Sequence, residues 1–192
     1  MVSRKTRPPL ILTHQNIDNE IQRYMKKVDT LTVPERQGSV VEYMYYLKRN
    51  RMRNGPYPDV SFFESANRLL SDLVILFGVR QILNDPQIGS IHLPFHQYNV
   101  KLGGEKGFDI LAENGDDKFV GEAYNVAPSY FPEKSRLMKN KLKREKEFNY
   151  KMLMFNSNAV DNPHDLLSDS SDELIFLPVD WQRGVAEYRM LV

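Results

Sequence analysis

Two acidic residues stand where a tight turn brings them together. Asp109 lies in Gly107-Phe108-Asp109-Ile110 and Glu122 in Gly121-Glu122-Ala123-Tyr124, with twelve residues between the two acids. The runs Phe108 to Glu113 and Lys118 to Val126 read as strands, and Asn114-Gly115-Asp116-Asp117 separates them as a turn. Gly115 supplies the positive φ that the first central position of a type II′ turn requires, so Gly115-Asp116 makes a two-residue hairpin. The pairing follows by symmetry: 114 faces 117, 113 faces 118, 111 faces 120, and Asp109 faces Glu122. A four-residue loop from Asn114 to Asp117 gives the same register.

Facing side chains in such a pair have Cβ atoms roughly 4.5–5.5 Å apart, a spacing at which like charges destabilise the sheet. A divalent cation removes the repulsion. Mg²⁺ prefers oxygen ligands and keeps waters that can be activated or exchanged for a phosphate oxygen. A proton shared between the acids, or a different register, are the alternatives. Gly107 and Gly121, beside the two acids, let the backbone lie close to a bulky ligand such as a phosphodiester, or serve as bulge and packing residues. Alternation places Phe108, Ile110, Phe119 and Ala123 on one face and Asp109, Leu111, Val120, Glu122 and Tyr124 on the other.

The elements that must hold this hairpin can be read around it. Ile17, Ile21, Tyr24, Met25 and Val28 recur at helical spacing, as do Val40, Val41, Met44, Tyr45 and Leu47 after Gly38-Ser39. Asn54-Gly55-Pro56-Tyr57-Pro58 breaks the chain, and a more apolar helix follows over about Ser61 to Phe77. Short β-rich runs then begin with Ile88 to Leu102, completing an antiparallel meander with the two strands above. Pro132 opens a charged helix to about Phe148. Met152 to Phe155 and Leu174 to Val179 read as strands, Ala186 to Leu191 as a last one, and Asn156 to Glu173 as a polar loop. This order implies an α/β sandwich with a mixed sheet: one domain over 1–192, with a helical N-terminal part at 1–58 and a core at 59–180.

Composition narrows the chemistry. With 192 residues and 41% of them hydrophobic, the chain can bury a core unaided. It has no cysteine, which excludes disulfides, thiolate metal sites and cysteine catalysis. The basic start leads into only Leu10-Ile11-Leu12, far short of a signal-peptide core or a membrane span of about 20 residues, so a cytoplasmic protein without membrane association is expected. The net charge of +1 conceals blocks: residues 1–56 hold eleven Lys or Arg against five acids, 134–151 hold eight against two, and 152–182 hold no Lys or Arg. Such patches can meet a polyanion on one surface, although a lysine-rich helix is also a common solvated helix.

The two segments around Asp109 and Glu122 resemble the core of the PD-(D/E)XK nucleases, over roughly Ser61 to Pro178. The resemblance implies a restriction-endonuclease-like sandwich in which Asp109, Glu122 and the main-chain carbonyl of Ala123 hold Mg²⁺, with Mn²⁺ as a substitute, at a DNA phosphodiester. The family's lysine two residues after the glutamate is Tyr124 here, which carries no positive charge at neutral pH. Lys134 is a candidate for the missing charge. Glu64 and Glu133 stand where related enzymes place further acids, but each has a local alternative. Ser61-Phe62-Phe63-Glu64 reads as a capping box, and an acid after Pro132 favours the helix dipole. His92 and His96 read as structural or DNA-facing, and His14 and His164 show no partner pattern.

The run Gly121 to Ser129 looks like certain restriction endonucleases, and no zinc finger or recognition helix is evident. The whole resembles the small catalytic subunit of a heterodimeric type IIS restriction endonuclease. That implies a type II site-specific deoxyribonuclease acting on double-stranded DNA, with a larger protein subunit recognising the site. A stand-alone homodimeric restriction or repair nuclease and a non-catalytic DNA-binding module are the competing expectations.

Overall fold

The computed structural model describes residues 8–36, 38–104, 106–168 and 174–190. The chain forms β1 (Leu10–Thr13), α1 (Ile17–Val28), α2 (Val40–Arg49), α3 (Phe62–Asn84), β2 (Gln87–Ile88), β3 (Ile91–His92), β4 (Gln97–Val100), β5 (Ile110–Asn114) and β6 (Asp117–Tyr124). After a 3₁₀ turn at Pro128–Tyr130 come α4 (Phe131–Arg144), β7 (Tyr150–Asn156), α5 (Pro163–Ser168), β8 (Ile175–Val179) and α6 (Trp181–Met190). Six strands make one mixed sheet in the order β1-β4-β5-β6-β7-β8. The β1/β4, β4/β5 and β5/β6 pairs are antiparallel, whereas β6/β7 and β7/β8 are parallel. The expected α/β architecture with a mixed sheet is therefore present.

Alternation along β6 divides the core. Phe119 packs with Ile110, Met152, Met154 and the apolar side of α3, while Val120 and Tyr124 pack with Phe131, Leu142, Leu153 and Phe155 beneath α4. Helices thus cover both faces of the sheet, and Glu122, with the parity of Val120 and Tyr124, faces α4. The long α3 passes Gly78 without stopping, because a Cβ there would come within 2.5 Å of the Met154 sulfur. Glycine serves close helix-to-sheet contact at that position, so the helix ends at Asn84 and not near Phe77 as the sequence suggests.

Four other expectations change. Leu10–Thr13, within the part read as helical, is an edge strand whose Leu12 pairs with Tyr98. Ile88 to Leu102 divides into the small β2/β3 hairpin and β4. Part of the expected polar loop is helical at Pro163–Ser168, and its residues 169–173 lie outside the described residues. The expected last strand is α6. The Asp180 side chain accepts from the Arg183 N–H at 3.0 Å, starting the helix, and Trp181, Val185 and Tyr188 at helical spacing pack on the core. No helix among the described residues is long and apolar enough to cross a membrane.

One buried carboxylate ties the site-bearing hairpin to the helical layer. Asp72 of α3, 1% exposed, accepts a hydrogen bond from the Tyr24 hydroxyl of α1 at 2.6 Å, another from Tyr57 before α3, and a third from the Gly103 N–H at 2.8 Å. Gly103 opens the connection from β4 that leads to Asp109.

Candidate metal centre

The β5/β6 hairpin has the register derived from its turn: Asn114 faces Asp117, Glu113 faces Lys118, Leu111 faces Val120 and Ile110 faces Gly121. Gly115 has φ +61°. One step beyond the ladder, where the partner of Glu122 would stand, the chain bends at Asp109. Because regular pairing ends at Ile110, the Ala123 N–H is free to bond the Asp109 side chain, and it does so at 2.9 Å to Oδ2. The Asp109 carbonyl meanwhile accepts from the Lys101 N–H, just after β4, at 2.9 Å. Asp109 is therefore fixed from both neighbours, by its backbone on one side and its carboxylate on the other.

The strand ending also corrects the face assigned to Phe108. It does not join Ile110 and Phe119 but packs with Leu111 under α4, edge-on to Phe148 at 6.0 Å between ring centroids. Alternation holds only within the strand, and Phe108 precedes it.

Glu122 is 6% exposed, and its Oε1 lies 2.5 Å from Lys141 Nζ. Lys141 also donates to the Gly107 carbonyl at 3.0 Å and sits 4.7 Å from the centre of the Phe108 ring. The ammonium thus joins both acidic segments. Burial, then the neighbouring Asp109 charge, pushes the Glu122 carboxyl up from the ordinary 4.5 to about 7, against the opposing pull of Lys141 and Lys134. Burial likewise raises Asp109, opposed by the Ala123 N–H and by Lys141, Lys134 and Lys101. Burial, more than their mutual repulsion, thus disfavours the charged form of both acids, and the nearby lysines offset it only in part.

The remaining sequence candidates lie elsewhere or serve other ends. Glu64 is exposed in the first turn of α3; Ser61 Oγ accepts its N–H at 3.2 Å and its carboxylate pairs with Arg68 at 2.5 Å. Glu133 is exposed in the first turn of α4. Among the described residues, no third acid or histidine joins Asp109 and Glu122 in a metal-holding group. Tyr124 is buried among Phe131 and Phe155, and burial pushes its hydroxyl up to about 12, so it contributes packing and no charge. Lys134 lies over the Tyr124 ring, 5.9 Å from its centroid. His14, His92 and His96 line a separate cavity of about 660 Å³ that includes Asn114, at the turn end of the hairpin.

Lys141 is the residue that sequence reasoning missed. Lys134 and Lys141 are seven residues apart, two helical turns, and so share one flank of α4. The spacing was visible, but the choice between them depends on how far along the sheet the helix lies.

The raised carboxyl at Glu122 has a measurable cost. Between about 4.5 and 7 the folded protein holds a proton there that the unfolded chain has released, so the stabilising contribution is full at low pH and is lost as pH rises through about 7. In EDTA, thermal unfolding followed by circular dichroism is expected to show stability declining between about pH 5 and pH 8, with this group accounting for up to about 3 kcal/mol. Glu122→Gln is expected to flatten that decline and raise the melting temperature at the upper end.

Two carboxylates suit Mg²⁺, which commonly binds one or two acids and fills its other positions with water and substrate phosphate. No family model, no curated protein and no solved structure matches this chain.

Proposed function

We propose that the chain is a Mg²⁺-dependent endodeoxyribonuclease of the PD-(D/E)XK kind, built as a single restriction-endonuclease-like domain. The observation that carries this reading is the Asp109 carboxylate bonded to the Ala123 N–H beside the buried Glu122, with Lys141 paired to Glu122 and bonded to the Gly107 carbonyl. Asp109, Glu122 and the Ala123 carbonyl would hold the ion, and Mn²⁺ is expected to substitute. Bound there, Mg²⁺ supplies positive charge at the scissile phosphate and acidifies a water.

The protein's own groups do the rest. The Ala123 N–H keeps the Asp109 carboxylate oriented, while the half-buried Phe108 and the buried Tyr124 pack beneath α4 beside the pair. Lys141 supplies from α4 the charge that Tyr124 cannot supply from β6. Its side chain is 37% exposed but is fixed by Glu122 and the Gly107 carbonyl, so it offers a preorganised charge to a developing phosphate anion. Lys141→Met is therefore expected to lower kcat by roughly 10²-fold or more with little change in DNA affinity. Lys134→Met is expected to have a smaller effect. Single-turnover cleavage alongside a binding isotherm checks both.

The protein acts as the small catalytic subunit of a heterodimeric type IIS restriction enzyme, cutting one strand of duplex DNA while a larger partner recognises the site. Support for a partner comes from α2, which buries only Leu47 and leaves Val40, Val41, Met44 and Tyr45 at 56%, 79%, 49% and 65% exposure. Contiguous apolar surface of that kind is what protein partners cover. The test incubates DNA and Mg²⁺ with this protein and a candidate larger subunit, comparing wild type with Glu122→Ala. Loss of cutting on one strand only is expected. A purified monomer that cleanly cuts one sequence alone would contradict the division of labour.

A further inference from the structure

The basic residues of α4 do not form one surface. At 100° per residue, Lys134 and Lys141 fall within about 20° of each other, while Arg136, Lys139 and Lys143 fall roughly 140–200° around the helix from Lys134. The first pair faces the carboxylates. The second set lines a separate groove of about 350 Å³ between α4 and Leu166 of α5, with Asn140 at its edge. No acidic residue is among its described lining residues, and none of its three cations forms an ion pair with another described residue. Lys139 holds its ammonium over the Phe176 ring, 4.6 Å from its centroid, which fixes the position of that charge in the groove.

We propose that this groove is a second phosphate-binding subsite, taking the sugar-phosphate backbone of duplex DNA away from the scissile position. The choice of ligand rests on the nuclease reading of the carboxylate site, although the geometry does not. Along the helix, Arg136 and Lys139 are separated by about 4.5 Å and Lys139 and Lys143 by about 6 Å, from a rise of 1.5 Å per residue. A DNA strand carries one phosphate per about 3.4 Å of axis, so the set spans about three phosphates. One helix then performs two separable tasks: its inner flank serves the reacting phosphate and its outer flank holds the duplex.

The test is binding without cleavage. A fluorescein-labelled duplex is titrated with protein in CaCl₂, and anisotropy is measured between about 50 and 200 mM KCl, because each neutralised phosphate contributes about 0.9 to the slope of log affinity against log salt. The variant R136Q/K139Q/K143Q is expected to make that slope shallower by about 2 to 3. R136Q/K143Q, which spares the Lys139 contact with Phe176, is expected to do so by about 2. R183Q/R189Q on α6 removes two positive charges, as R136Q/K143Q does, but on the opposite side of the sheet, and is expected to leave the slope unchanged.

An unaltered slope in both groove variants, equal loss in the α6 control, or no duplex binding by the wild type would overturn the proposal. So would displacement of the duplex by stoichiometric inorganic pyrophosphate, which would mark a site for a free phosphate compound. Failure of the two readings is distinguishable. Groove-dependent binding with no Mg²⁺ cleavage in any assembly would remove the nuclease assignment alone, and cleavage indifferent to the groove variants at every salt concentration would remove the groove alone.

Discussion

Alanine at Asp109 or at Glu122 is expected to abolish Mg²⁺-dependent DNA cleavage, by about 10³-fold or more. The size follows from what the pair does. An ion at a transferring phosphate supplies several kcal/mol of charge stabilisation, and a loss of about 4 kcal/mol corresponds to roughly a thousandfold in rate. Neither acid can compensate for the other, because Asp109 is anchored by the Ala123 N–H while Glu122 reaches toward Lys141. Glu64 and Glu133, both exposed, offer no substitute. Plasmid cleavage measured with the candidate larger subunit present checks this, with a folded-state spectrum for each variant. The two substitutions are expected to differ in stability: Glu122→Ala removes a buried acid carrying a raised carboxyl, whereas Asp109→Ala also strands the Ala123 N–H.

Asp72→Ala is expected to destabilise the protein by about 3–5 kcal/mol, since truncating a buried acceptor leaves its donors unpaired and away from water. Here the orphans are the Tyr24 and Tyr57 hydroxyls and the Gly103 N–H. For a chain of this size the melting temperature should fall by roughly 10 °C. Asp72→Asn keeps the shape but turns one acceptor into a donor facing hydroxyls, so it is expected to recover only part of the loss. Gly103 begins the connection to Asp109, and cleavage should therefore weaken in both variants even below their unfolding temperatures. Denaturant unfolding and a cleavage assay at low temperature separate the two effects.

The site was more legible than its surroundings, for a physical reason. A two-residue turn with glycine at 115 fixes the register of the paired strands, so the approach of the Asp109 and Glu122 segments needed only local information. What depended on distant packing was not available in the same way. Leu10–Thr13 becomes a strand only because β4 offers it an edge, and four residues carry too short a pattern to announce that. Ala186 to Leu191 alternates enough to resemble a strand, yet Asp180 caps a helix there and Trp181, Val185 and Tyr188 find the core. Gly78 looks like a terminator until Met154 is seen against it. Lys141 escaped for a related reason, because helical periodicity offers Lys134 and Lys141 equally and the placement of α4 on the sheet decides between them.

Metal binding tests the central claim without requiring a partner subunit, a recognition sequence or turnover. In isothermal titration with Mn²⁺ or Ca²⁺ at neutral pH, the wild type is predicted to bind the ion and both Asp109→Ala and Glu122→Ala to lose that binding. A wild type that takes up neither ion, or an Asp109→Ala variant that binds them as the wild type does, would contradict a cation site at this pair and the nuclease chemistry built on it.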